Sequence, residues 1–144
     1  MPTDTAFWDT SALVPLCCRQ AASLRARQLR RNYARVAVWW GCQVEAHSAL
    51  QRLRAGSLLS AGALQWGLQR LEVMRVGWLE VKPVEKVRVL AVTLPAVYSL
   101  RALDSFQLAA ALVWCQERPR QRHFVCFDEK LAEAAGKAGF TVVN

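Results

Sequence analysis

Five short β-type runs separated by helical stretches constrain this chain more than any other feature. The runs are Thr5 to Trp8, Arg35 to Trp40 (VAVWW at its centre), Leu79 to Lys82, His123 to Phe127 (HFVCF) and Phe140 to Val143 (FTVV). Helical patterning covers Ala21 to Tyr33, Cys42 to Ala55, Ala61 to Val76, Val84 to Tyr98, Ala102 to Glu117 and Glu129 to Ala138. Gly139 ends the last of these as a glycine just past a helix does. Strands alternating with helices join in parallel through right-handed crossovers, with helices on both faces of the sheet. The expected fold is therefore an α/β three-layer domain, one domain over residues 1–144. With 53% apolar and 21% charged residues, the chain can bury a real core and does not read as disordered.

Several classes are set aside on the same reading. The longest uninterrupted apolar run, Leu108 to Cys115, falls far short of the roughly 20 residues a bilayer span needs, and no membrane contact is expected. The opening MPTDTAFW lacks a basic start followed by an apolar stretch, so no secretory signal is expected. Cys17, Cys18, Cys42, Cys115 and Cys126 form an odd set without C-x-x-C spacing. They read as reduced core thiols of a cytoplasmic protein, with neither a disulfide frame nor a zinc site.

The acids carry the functional signal. Glu72, Glu80, Glu85, Glu117, Glu129 and Glu133 lie near basic residues or on solvated helix faces, and Asp4 lies in the tail. Asp9 (FWDTS), Glu45 (CQVEAHSAL), Asp104 (RALDSFQLAAAL) and Asp128 (VCFDEKL) stand instead in apolar company. Asp9 and Asp128 follow β-runs, at the carboxyl ends of strands, where open parallel sheets form their sites. Glu45 borders the buried face of its helix, with Ala49 and Leu53 at i+4 and i+8; Asp104 opens an apolar helix. Each acid taken alone is explained by helix capping or the helix dipole. Together, on one sheet, they gather like charges at one edge, which is unfavourable unless a cation intervenes. Oxygen donors without His or Cys suit Mg²⁺ or Mn²⁺. The Ser11 hydroxyl is either a helix cap or a group near a metal-bound water or phosphate.

The net charge of +8, 19 Lys and Arg (mostly Arg) against 11 acids, predicts attraction to a polyanion, nucleic acid before membrane. Arg25, Arg27, Arg30, Arg31 and Arg35 crowd one helix and its exit, and Arg118, Arg120 and Arg122 the link before HFVCF. These groups either track a nucleic-acid backbone or form solvated faces. Arg101 and Lys130 lie closer in sequence to the acids and read as substrate or ion-pair contacts. Residues 57–81 are apolar beyond one buried face, as for a dimer or partner groove or a central helix.

FWDTSALVPL, VEAHSAL, LRALDSFQLAAAL and FVCFDEKLAEAAGKAGFTVV, in this order and spacing, resemble the PIN-domain family over about residues 5–143. More narrowly they resemble the VapC-type toxins of toxin–antitoxin pairs. The resemblance implies strand order 3-2-1-4-5 and an acidic quartet at Asp9, Glu45, Asp104 and Asp128. It further implies Mg²⁺- or Mn²⁺-dependent endoribonuclease activity, frequent homodimers, and inhibition by a small antitoxin that blocks the acidic cleft. Many relatives have Ser or Thr where this chain has Cys126, and His where it has Gln107. The competing reading is a PIN-like domain that binds RNA or a partner without cleaving it; a phosphoacceptor domain would need an acid arrangement that D-T-S lacks.

Overall fold

The strand segments carry apolar and aromatic side chains that bury on both faces, and they pair into one sheet. The computed structural model describes residues 4–144. Strands β1 (Thr5–Trp8), β2 (Arg35–Trp39), β3 (Leu79–Val81), β4 (His123–Val125) and β5 (Thr141–Val143) follow the order β3-β2-β1-β4-β5. Every neighbouring pair is parallel. Helices α1 (Thr10–Cys17), α2 (Ser23–Asn32), α3 (Cys42–Ala55), α4 (Ala61–Val76), α5 (Glu85–Ala91), α6 (Leu94–Tyr98), α7 (Ala102–Trp114) and α8 (Glu129–Ala138) complete the described chain.

Side chains alternate across a strand, and the two faces feed separate cores. Phe7, Ala37, Trp39 and Phe124 pack under α5, α7 and α8 with Leu108, Ala111 and Leu131. Ala6, Trp8, Val36 and Val38 face the other way, against Leu13, Ala26 and Leu29 of α1 and α2. Aromatic contacts stiffen the first core: Phe7 lies 5.4 Å from Phe124 and 6.1 Å from Trp114, and Trp39 stacks on Phe106 at 5.5 Å. A smaller cluster of Val14, Cys17, Leu50, Leu59 and Leu71 joins α1, α3 and α4. All five cysteines are buried and free, as the sequence suggested. Among the described residues no single helix is long and apolar enough to cross a membrane.

Three local features differ from the sequence expectation. DTSALVPLC, which lies outside the helical patterning read in the sequence, is the two-turn helix α1, capped by Asp9 and carrying Pro15 inside. The single helix expected over Val84 to Tyr98 is broken into α5 and α6. Pro95 supplies no N–H to continue the ladder, and Thr93 turns both its N–H (3.1 Å) and its hydroxyl (2.7 Å) onto the Leu90 carbonyl. Trp40, read as the end of the second β-run, lies one residue beyond β2 and is 51% exposed, while Trp39 is buried.

Helix α4 approaches the rest of the fold most closely at Gly67. A Cβ there would stand 2.6 Å from the Cys17 carbonyl oxygen, a backbone atom that cannot swing away. Gly67→Ala is expected to destabilise by about 1–3 kcal/mol through this overpacking. At Gly62 nothing lies within 4 Å, and Gly62→Ala should gain about 0.5 kcal/mol from helix propensity. Urea denaturation of the two variants checks both signs.

Candidate functional site

The four carboxylates singled out in the sequence meet at the carboxyl edge of the sheet. Asp9 follows β1 and caps α1, its Oδ2 accepting from the Ser11 N–H at 3.1 Å. Asp128 follows β4 and caps α8, its Oδ1 accepting from the Leu131 N–H at 3.1 Å. Glu45 and Asp104 lie in the first turns of α3 and α7. All four, with Thr10 and Ser11, line one cleft of about 620 Å³. Each acid thus holds the helix-end position that its sequence context allowed, and all share the cleft as well.

The caps do not use up the ligand capacity of the site. Among the described residues, Asp128 Oδ2 and both Asp104 oxygens take no side-chain or backbone hydrogen bond. Among the described residues none of the four forms an ion pair. The ion pairs among the described residues are Arg75–Glu72, Lys86–Glu117, Arg88–Glu85 and Lys137–Glu133, all elsewhere. Asp9 is only 5% exposed. Burial pushes its pKa up, with a further rise from the Asp128 charge, against a lowering by the Ser11 bonds. Burial likewise raises Asp104, helped by Asp128 and Asp9, while Arg101 and Lys130 pull it down. Glu45 is pushed up to about 7, chiefly by burial, despite the hydrogen bond from Gln107.

Residues other than the four acids hold them in place. Gln107, wholly buried on α7, donates its Nε2–H to Thr10 Oγ1 (3.2 Å) and to Glu45 Oε1 and Oε2 (3.3 and 3.4 Å). The Thr10 hydroxyl donates in turn to Glu45 Oε1 at 3.3 Å. This knot ties α1, α3 and α7 together beneath the cleft, and it leaves Gln107 Oε1 buried without a partner. Ser11 does not cap a helix with its hydroxyl. Its Oγ accepts from the Phe127 N–H at 2.9 Å and so pins α1 to the end of β4. The buried Cys126 thiol stands 3.7 Å from Asp9 Oδ2 as a weak donor, and burial pushes its own pKa up. Arg52, one face along α3 from Glu45, also lines the cleft; the i+7 spacing was the available signal.

The other basic residues divide. Arg101 and Lys130 stand close enough to lower the Asp104 pKa. Arg25, Arg30 and Arg31 lie on α2 and do not line the cleft. Arg25 donates to the Asn144 carbonyl at 3.0 Å, and Arg30 caps its own helix by donating to Tyr33 and Ala34 carbonyls at 3.0 and 3.1 Å.

The donor set is one that a hard divalent cation prefers, oxygen only and rich in negative charge. Among the described residues no three His, Cys, Asp or Glu side chains are arranged to hold an ion between them, so the fit rests on donor chemistry and electrostatics.

No protein-family model matches the chain, and no curated protein matches it. Among solved structures, a chain of a toxin-antitoxin complex from Klebsiella pneumoniae is similar, with a TM-score of 0.68 at 16% sequence identity over 96% of each chain. At that identity the likeness establishes the fold, sheet order included.

The raised carboxylates make a pH signature. A carboxyl whose folded pKa lies above its unfolded value adds stability below the unfolded pKa and loses it as pH rises through the folded pKa. For Glu45 this window runs from about 4.5 to about 7. Glu45→Gln should therefore stabilise the metal-free protein at pH 8 by about 1–3 kcal/mol, the benefit vanishing near pH 4.5. Thermal melts of parent and variant in EDTA across that range measure the difference.

Proposed function

We propose that the chain is a Mg²⁺- or Mn²⁺-dependent endoribonuclease of the PIN-domain type, the VapC-like toxin of a toxin–antitoxin pair acting in the cytoplasm. One observation carries the reading: four carboxylates converge on one cleft, and among the described residues none of them forms an ion pair. The order and spacing of the PIN-like motifs support it. So does the description of the solved neighbour as part of a toxin-antitoxin complex. A domain that only bound RNA would have no use for four like charges against its substrate's phosphates.

In this reading Asp9 and Asp104 would hold the ion directly. Glu45 and Asp128 ligate it or orient its water, Glu45 from the orientation that Gln107 and Thr10 impose. A bound divalent ion supplies two things, a lowered pKa for the attacking water and positive charge against the phosphate oxygens. The chain's own part is positioning. The Ser11 bond to Phe127 fixes Asp9 relative to Asp128, and Arg52, Arg101 and Lys130 at the rim offer donors to the phosphates on either side of the cut. The exposed apolar residues Leu58, Trp66, Val73 and Val76, on or next to α4, support a protein partner there, a second copy or the small antitoxin.

The deciding measurement is cleavage of RNA by the purified protein with Mg²⁺ or Mn²⁺, with EDTA, and in the Asp9→Asn and Asp104→Asn variants. EDTA should abolish cleavage, and each substitution should reduce it about a hundredfold or more, since even groups that merely orient ligands cost 10–100-fold. Cleavage that persists in EDTA or in either variant overturns the mechanism.

A further inference from the structure

Five arginines outside the cleft gather at the opposite edge of the sheet. The parallel strands begin there, and two arginine groups meet. Arg31 lies in the last turn of α2 and Arg35 begins β2, while Arg118, Arg120 and Arg122 occupy the connection from α7 to β4. Strands β2 and β4 flank β1, with Thr5 opposite Arg35 and Ala6 opposite His123. The two groups are therefore about two strand spacings apart, roughly 10 Å. A side-chain tie fixes them together: Tyr33 Oη and His123 Nδ1 stand 2.7 Å apart, their rings edge to face.

This edge is built rather than merely solvated. Gln116, Glu117 and Gln121 hold φ values of 55°, 57° and 62°, left-handed conformations that cost a residue other than glycine about 1 kcal/mol or more each. Backbone bonds from Glu117 to Leu112 (2.7 Å), Arg118 to Cys115 (3.0 Å) and Arg122 to Pro119 (2.9 Å) hold the connection in that shape. All five arginines are exposed, and among the described residues none forms an ion pair. The nearby acids are Asp4 at the head of β1 and Glu117, which Lys86 already pairs at 3.1 Å. Five like charges held on a fixed surface repel one another, and a polyanion relieves that repulsion.

We infer that this amino edge is a docking surface for the backbone of RNA, holding a flank of the substrate while the scissile phosphate lies in the cleft. The identification of the polyanion as RNA rests on the ribonuclease reading above. Planar guanidinium forks suit phosphates. The edge offers no free aromatic platform for bases: Tyr33 is buried, and the Arg122 guanidinium lies 5.3 Å over the Trp114 ring. Contacts therefore run to phosphates and are independent of base sequence. No large apolar side chain is exposed over residues 31–35 or 116–123 to enter a membrane.

The test is fluorescence anisotropy of a labelled RNA duplex of about 20 base pairs, with EDTA present, between about 50 and 200 mM salt. Arg118→Glu/Arg120→Glu and Arg31→Glu/Arg35→Glu should each weaken binding about tenfold or more, and Arg118→Ala/Arg120→Ala should flatten the log–log salt slope by about 1.5. Arg88→Ala, on α5, should leave affinity within about twofold. Edge variants that melt like the parent and bind the duplex equally well overturn the inference, as does a parent that prefers anionic phosphatidylserine vesicles to the duplex. Cleavage of a short single-stranded oligonucleotide tests the ribonuclease reading separately. Edge-dependent duplex binding without cleavage supports the surface and counts against that reading. Cleavage with edge-independent binding counts against the surface alone.

Discussion

Parallel pairing of β1 with both β2 and β4 is the constraint on which the rest of the molecule depends. It sends the carboxyl ends of all five strands to one edge, and each strand must return through a helix. The helices that leave that edge begin there, so four N-termini, those of α1, α3, α7 and α8, open around the same cleft. Asp9 and Asp128 cap two of them, and Glu45 and Asp104 occupy the first turns of the others. The bland role of each acid and its site role are therefore the same placement. A carboxylate at a helix N-terminus in a parallel sheet is already at the functional edge.

Magnitudes separate what caps achieve from what they leave undone. A helix N-terminus favours a nearby negative charge by about 0.3–1 kcal/mol, and a cap bond adds about 1 kcal/mol. Two carboxylates on the order of 6 Å apart at an effective dielectric near 20 repel by about 3 kcal/mol. Capping cannot offset several such repulsions, nor the desolvation that dominates at Asp9, Glu45 and Asp104. The fold holds these charges at a cost, and the packing supplies it: wholly buried Phe7, Trp8 and Phe124 lie directly beneath the edge. The Gln107 amide shows the same priority. It spends its donors on Glu45 and Thr10 and leaves its own carbonyl oxygen buried and unpaired.

The sheet and the acids were legible in the sequence because they are written locally. A run such as HFVCF followed by Asp128 shows both a strand and its end, and strand alternation with helices admits few topologies. The supports of the site were hidden because they depend on side chains far apart in sequence. Nothing near Thr10 or Gln107 indicates that they meet over Glu45, 35 and 62 residues away from it. Helix α1 was obscured by Pro15 and its shortness, and the α5–α6 break turned on Thr93 competing for one carbonyl. The arginine groups around Arg31 and Arg118 were visible as charge, but their common edge follows only from β2 and β4 flanking β1.

The two edges impose opposite conditions on a polyanion. At the carboxyl edge, free carboxylates repel phosphate until a cation is present; at the amino edge, unpaired arginines attract it whether or not one is. Strands of three to five residues put these edges only about 15 Å apart, within reach of a single polynucleotide. The acidic and the basic edges are thus separated in space and joined by one sheet. Guanidinium forks suit phosphates and carry no base-sequence information. In the cleft, Val44 and Leu103 stand exposed on the first turns of α3 and α7, in the same turns as Glu45 and Asp104. Apolar side chains at that position give the acidic edge an apolar border that the arginine edge lacks.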